Sequence, residues 1–210
     1  MTLTKSKKIK TYAFIDAANL FYGGEKSLGW KIDYKKLLAY LKDKYEVKKA
    51  FYYAGVELDG FDYSILDPKP IDLNKLIAFH NKKLSSKLSE SKILIIQKRI
   101  QRIKFYRKLG QFGYILCLKP TKIFWNEGKP EKKANCDVDL TFDAMRYMNE
   151  YNNVVLLSGD GDFAILVKYL KEIGKYVTIL ARAERTAKEL RILAGKDFRD
   201  FHYLREILKF

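Results

Sequence analysis

VVLLSGDGDF, residues 154–163, places Ser, two Gly and two Asp directly behind an apolar run. Val154 to Leu157 fits a buried strand of a parallel sheet. Asp160 and Asp162 then stand just beyond its carboxyl end. In open parallel α/β sheets, functional groups gather at that edge. A chain of formal net charge +16 puts carboxylates there, a contrast that bears on fold and function alike.

Working outward, the pattern repeats. Tyr12 to Ile15 reads as a second short buried strand that ends at Asp16. DYKKLLAYLKDKY carries Tyr34, Leu37, Leu38 and Leu41 at helical spacing, with Asp33 as its N-cap. VKKAFYYAGV is a strand. ELDGFDYSILDPKP is a loop punctuated by Gly60, Pro68 and Pro70. Residues 71–109 read as helical in two pieces broken around SSKLSES, with Ile96, Ile100, Ile103 and Leu109 as an inner stripe and Lys98, Arg99 and Arg102 outside. GYILCLKPTKIF gives two extended pieces around Pro120, and WNEGKPEKKANC a polar loop. DVDLTFDAMRYMNEY reads as a helix, then NVVLLSG as a strand. A helix ending at Gly174, the strand KYVTILA, and a helix ending at Gly195 come next. FRDFHYLREILKF is amphipathic but too short to assign. Strands alternating with helices predict an α/β fold, a three-layer α/β/α Rossmann-like arrangement around a mainly parallel sheet. The organisation expected is a basic flexible tail over 1–10, one domain over 11–200 with a helical elaboration around 71–109, and a C-terminal segment over 201–210.

If the strands ending at Asp16 and Leu157 are parallel neighbours, Asp16, Asp160 and Asp162 meet at one edge. Asp137 starts the helix that leads into the second of them. Asp139 lies roughly 200° further round that helix, at about 100° per residue. It groups with Asp143, Arg146 and Glu150 as a solvated stripe with i,i+4 ion pairs, so it is a secondary candidate. Taken singly, each acid also reads as a helix cap. Taken together, several carboxylates in one cleft repel one another, and a divalent cation removes the conflict. Oxygen-only ligands suit Mg²⁺ or Mn²⁺. Such an ion activates water and stabilises charge on phosphoryl oxygens, leaving a 5′-phosphate and a 3′-hydroxyl.

The segments FIDAANL, CDVDLTFDAM, VVLLSGDGDFAILVKYLKEIGKYVTIL and TAKELRILAGKDF resemble the NYN domain family, in its LabA-like branch, part of the PIN-like superfamily of metal-dependent ribonucleases. The resemblance runs over residues 11–200 and is strongest over 133–181. It implies a PIN-like fold, ribonuclease activity, and a metal site at Asp16, Asp137, Asp160 and Asp162. It also implies that Asn19 faces the site and orients water or substrate; by itself Asn19 reads equally as a turn cap. The chain departs from the family at Ala17, where Gly is frequent, and at Cys136, where a β-branched apolar residue is frequent. Its 81–108 stretch is longer and more basic.

Lys and Arg total 41 against 25 Asp and Glu. The excess favours a polyanion, either nucleic acid or an anionic membrane surface; the family resemblance makes RNA the expected one. Lys129, Lys132 and Lys133 precede the helix of Asp137, and Arg182 and Arg185 follow the strand ending near Leu180. All five are expected RNA contacts. Cys117 and Cys136 do not form a CxxC pair, and His80 and His202 are the only histidines, so neither a disulfide framework nor structural zinc is expected. No run approaches 18 apolar residues and MTLTKSKKIK lacks a signal-peptide core, so the expectation is a cytoplasmic protein that does not enter a membrane. The apolar stripe in 71–109 suggests a homodimer. A non-catalytic RNA-binding or adaptor protein is the alternative function. A metal-dependent phosphatase of the haloacid-dehalogenase type is disfavoured, because position 18 is Ala where a second Asp is needed. No P-loop is present.

Overall fold

The computed structural model describes residues 9–21, 26–64, 66, 69–126 and 129–210, with side chains described outside 123–133. In chain order the elements are β1 (Thr11–Asp16), α1 (Ala17–Asn19), α2 (Lys26–Leu28), α3 (Tyr34–Tyr45), β2 (Val47–Val56), α4 (Leu73–Leu84), α5 (Glu90–Phe112), β3 (Ile115–Pro120), β4 (Lys122–Asn126), β5 (Lys129–Lys133), α6 (Asp137–Arg146), β6 (Asn153–Leu157), α7 (Ala164–Glu172), β7 (Tyr176–Ala181), α8 (Lys188–Ala194), β8 (Phe198–Asp200) and α9 (Arg205–Leu208). The central sheet has strand order β3-β2-β1-β6-β7-β8 and is parallel throughout. The expected α/β fold with a parallel sheet is therefore present. The chain divides into two compact units, one of Met1–Phe51 with Asp137–Phe210 and one of Tyr52–Cys136.

In the first unit every residue of β1 is buried, and β6 and β7 are buried along nearly their whole length. Continuous burial of this kind belongs to a parallel strand covered on both faces. The register sets Ile15 against Leu157 and Leu156 against Ile179. Ile179 in turn faces Phe198, and Ala181 faces Asp200. The carboxyl ends of all four strands therefore align at one edge. Phe14 stacks on Phe51 at 5.3 Å, and Phe51 on Tyr147 at 5.2 Å. Asp33 caps α3 by accepting from the Lys35 and Lys36 amides at 2.8 and 3.0 Å, as its position in the sequence predicts. Leu37 and Leu41 on that helix are fully buried.

The second unit holds α4 and α5 as a pair and β4 with β5 as an antiparallel hairpin. Ile96, Ile100, Ile103, Tyr106 and Leu109 form the buried stripe of α5. That stripe is buried and is not a surface. Tyr106 donates to the Gly55 carbonyl at 2.8 Å.

Several local expectations change. The polar loop after Trp125 contains β5, whose register pairs Lys132 with Ile123. Its KPEKK sequence lacks the apolar alternation that announces a strand. The helix of Asp137 stops at Arg146, so Glu150 lies beyond it and does not extend a stripe. Glu150 accepts instead from Lys49 at 2.9 Å and from Tyr12 at 2.7 Å. Arg99 turns inward to pair with Glu57 at 2.8 Å and Asp59 at 2.6 Å. The unassigned C-terminal stretch contributes β8 and α9. Residues 1–8 of the expected tail lie outside the described residues. Among those described, no helix is long and apolar enough to cross a membrane.

Candidate active site

One residue past the last β1–β6 pair, Asp16 and Ser158 stand side by side at the carboxyl edge. Ser158 is buried, and its hydroxyl donates to Asp16 Oδ2 at 3.1 Å. The same hydroxyl oxygen accepts from the Asp160 amide at 3.2 Å. Asp16 Oδ1 accepts from the Ala18 and Asn19 amides at 3.0 and 3.2 Å. Asp16 thus caps α1 with one oxygen and meets the neighbouring strand end with the other. Asn19 turns its Oδ1 to the Gly159 amide, 2.9 Å away. Its carbonyl fixes the SGDGD turn rather than pointing freely at a substrate.

Beyond Ser158 the chain tightens. Asp160 Oδ1 accepts from the Asp162 amide at 3.1 Å and starts a single 3-10 turn at Gly161–Phe163. The loop after β7 packs against this turn. Ala187 donates its amide to the Gly159 carbonyl at 2.9 Å. A Cβ on Gly159 would stand 2.7 Å from Thr186 Oγ1 and 3.0 Å from Thr186 Cα. Thr186 is itself anchored by a 2.7 Å bond from its hydroxyl to the Arg182 carbonyl.

Asp137, the first residue of α6, lies close to Asp160 and Asp162 of this turn. One carboxylate oxygen from each lies within 4.8 Å of the other two. Like charges at that separation oppose one another by about 1–3.5 kcal/mol per pair, for effective dielectrics from bulk water down to about 20. Oxygens around an octahedral Mg²⁺ stand roughly 3–4 Å apart, so the three groups fit a hard divalent cation with little adjustment. Among the described residues, neither cysteine nor histidine joins a group of this kind. Asp16 is outside the 4.8 Å set and reaches it through Ser158. Asp139 is also outside it.

The expected basic contacts divide. Arg182 is committed elsewhere: its side chain is 12% exposed and pairs with Asp200 at 2.9 Å and Glu184 at 2.8 Å. Arg185 is exposed, and its side chain pairs with none of the described residues. The side chains of Lys129, Lys132 and Lys133 lie outside the described residues, although their backbones form β5. Ser158 and Thr186 are the residues that sequence reasoning missed. A lone polar residue ending an apolar strand is a usable signal for Ser158. Thr186 has no local signal at all.

Burial pushes the Asp16 carboxyl above its ordinary value of 3.8. Bonds from the Asn19 amide, Ser158 and the Ala18 amide pull it down, and the Asp160 charge adds to the rise. A carboxyl raised by folding adds stability below its unfolded pKa and loses it as pH climbs through the folded value. Metal-free Asp16→Asn is therefore expected to melt at or above wild type at pH 7. The gap should close toward about pH 4, near the unfolded value, and melting curves in EDTA across that range check it. A variant that melts well below wild type at pH 7 would mean that the capping bonds outweigh the buried charge.

A family model described as the NYN domain matches residues 10–201. The low amplitude and bright protein LabA of Synechococcus elongatus is 26% identical over 183 residues, which make up 85% of this chain and 76% of LabA. Among solved structures, a protein of unknown function from Vibrio parahaemolyticus superposes with a TM-score of 0.62 at 22% identity, covering 94% of this chain and 96% of that one. This is a likeness of fold. The T5 5′-exonuclease with bound zinc stands further off, with a TM-score of 0.47 and 14% identity over 88% of this chain and 59% of that one, too distant to carry a mechanism.

Proposed function

We propose that this chain, which belongs to the NYN domain family, is a metal-dependent ribonuclease that hydrolyses RNA phosphodiester bonds. The observation that carries this reading is the convergence of the Asp137, Asp160 and Asp162 carboxylates within 4.8 Å at the carboxyl edge of a parallel sheet. In this reading those three hold Mg²⁺ or Mn²⁺, and Asp16 completes the acidic set. The cation, when bound, activates water and neutralises charge on the phosphoryl group.

The other residues position this machinery. Asp16 orients the Ser158 hydroxyl, which holds the Asp160 amide. Asn19 holds the Gly159 amide, so β1 and β6 present their acids as one rigid group. Rigidity matters because each ligand must stay within about 0.5 Å of its working place. Asp139 keeps its secondary rank. Arg185, exposed and free among the described residues, meets the phosphate backbone. Lys129, Lys132 and Lys133 remain RNA contacts on the strength of their charge. Arg182 loses that role to its ion pairs. Binding through these cations falls steeply with salt.

End-labelled single-stranded RNA, incubated with the protein in Mn²⁺, Mg²⁺ or EDTA, tests the reading. Cleavage is expected with a divalent cation and none in EDTA, and single-stranded DNA of the same sequence should be cut more slowly. Salt-sensitive RNA binding with no cleavage in either metal would replace the enzyme with a non-catalytic RNA-binding protein.

A further inference from the structure

The strand register puts a second feature on the edge that carries the acids. Ala181 pairs with Asp200, so the chain leaving β8 emerges beside the chain leaving β7. There it meets the segment between β1 and α3. Phe210 donates its amide to the Lys31 carbonyl at 3.0 Å, and Asp33 donates its amide to the Leu208 carbonyl at 2.7 Å. Between these two segments lies a cleft of about 310 Å³, lined by Leu28, Trp30, His202, Tyr203, Arg205 and Glu206. It shares no residue with the acid cluster.

The lining has the chemistry of a base-binding site. Trp30 is 8% exposed and gives an apolar floor, whereas Tyr203 is 82% exposed. The Tyr203 ring meets His202 edge-on at 5.3 Å and leaves most of its surface to solvent. Arg205 and Glu206 are exposed, and neither side chain pairs with any of the described residues. A carboxylate and a guanidinium, both without a partner among the described residues, offer hydrogen-bond acceptors and donors together. The volume sits at the small end of ligand sites, roughly 300–1,000 Å³. That volume has room for a single base.

We infer that this cleft is a subsite for one unpaired nucleobase of a single-stranded substrate, and that guanine suits it best. Tyr203 supplies the stacking face. Arg205 donates toward O6 and N7, and Glu206 accepts from N1–H and the exocyclic amine. The inference rests on the nucleic-acid reading of the acid cluster and adds to it the base that is recognised at the same sheet edge.

The test is fluorescence anisotropy in EDTA, with a labelled uridine oligomer of about 12 nucleotides, within the range that such grooves span, and the same oligomer carrying two guanosines. Wild type should prefer the guanosine oligomer by about tenfold, the worth of one good base-edge contact. Tyr203→Ala should weaken both oligomers by about tenfold, as loss of a stacking face does. Glu206→Gln should remove most of the guanosine preference. Both positions are exposed, and unchanged melting temperatures would confirm intact folds. Equal affinities for wild type and Tyr203→Ala overturn the subsite, and so does an absence of binding by wild type. Cleavage in Mn²⁺ is scored separately. Tyr203-dependent binding without cleavage removes the nuclease and keeps the subsite, whereas cleavage with Tyr203-independent binding does the reverse.

Discussion

Asp160→Asn is expected to lower RNA cleavage by roughly 100-fold or more while leaving the fold intact. Groups one step removed from a metal ligand typically cost about 10–100-fold when lost, and a ligand costs at least as much. The amide keeps an oxygen where Asp160 Oδ1 caps the Asp162 amide at 3.1 Å, so the turn retains its start. The substitution takes away one of three negative charges. In EDTA the variant should therefore melt at or slightly above wild type, because the carboxylates of Asp137 and Asp162 face one like charge fewer. Adding Mn²⁺ separates the two proteins more sharply. At about 100 times its dissociation constant, a ligand stabilises the fold by about 2.7 kcal/mol. For a chain of this size that is a rise of roughly 5–11 °C. Wild type should show it and Asp160→Asn should show little. Equal metal-dependent shifts in both proteins would place the ion elsewhere, and equal cleavage would point to a contaminating nuclease.

The sequence makes the acids legible because a parallel strand buried on both faces must end abruptly, and a polar residue directly behind its apolar run marks the carboxyl edge of the sheet. IDA and SGDGD both announce themselves in this way. The N-cap of α3 is legible for a similarly local reason: Asp33 needs only the amides of Lys35 and Lys36. The supporting contacts are another matter. Ser158 and Asp16 are 142 positions apart, and Asn19 and Gly159 are 140 apart. No periodicity encodes such pairs. The role of Arg182 is hidden for a related reason. Its partner Asp200 ends β8, a strand of three residues, too short for alternation to reveal. Once β8 exists, a basic residue at the sheet edge gains an ion pair with Asp200 at 2.9 Å. Glu150 repeats the lesson, because its partners Lys49 and Tyr12 come from β2 and β1.

Gly159→Ala is expected to damage the site without touching a single acid. The added methyl would sit 2.7 Å from Thr186 Oγ1, 3.0 Å from Thr186 Cα and 3.2 Å from the Arg185 carbonyl oxygen. Two of these three neighbours are backbone, so no side-chain rotation relieves the crowding. Either the loop after β7 or the SGDGD turn must move. The hydrogen bond from the Ala187 amide to the Gly159 carbonyl ties the two loops together and resists their separation. Overpacking of this kind costs about 1–3 kcal/mol, a fall of roughly 2–12 °C in melting temperature. Because Asp160 is the next residue, the displacement also spreads the carboxylates. The Mn²⁺-dependent rise in melting temperature should shrink along with cleavage. Thr186→Ala in the same chain removes the clash with the Thr186 hydroxyl but leaves the backbone crowding, so rescue should be partial. Gly110→Ala is the matching control: its Cβ would meet Leu116 Cδ1 at 3.6 Å, an ordinary van der Waals distance. Within α5 that change should be neutral or stabilise by up to about 1 kcal/mol. A Gly159→Ala protein with wild-type melting and an undiminished metal shift would mean that the two loops yield freely, and that the acids owe their convergence to something other than this packing.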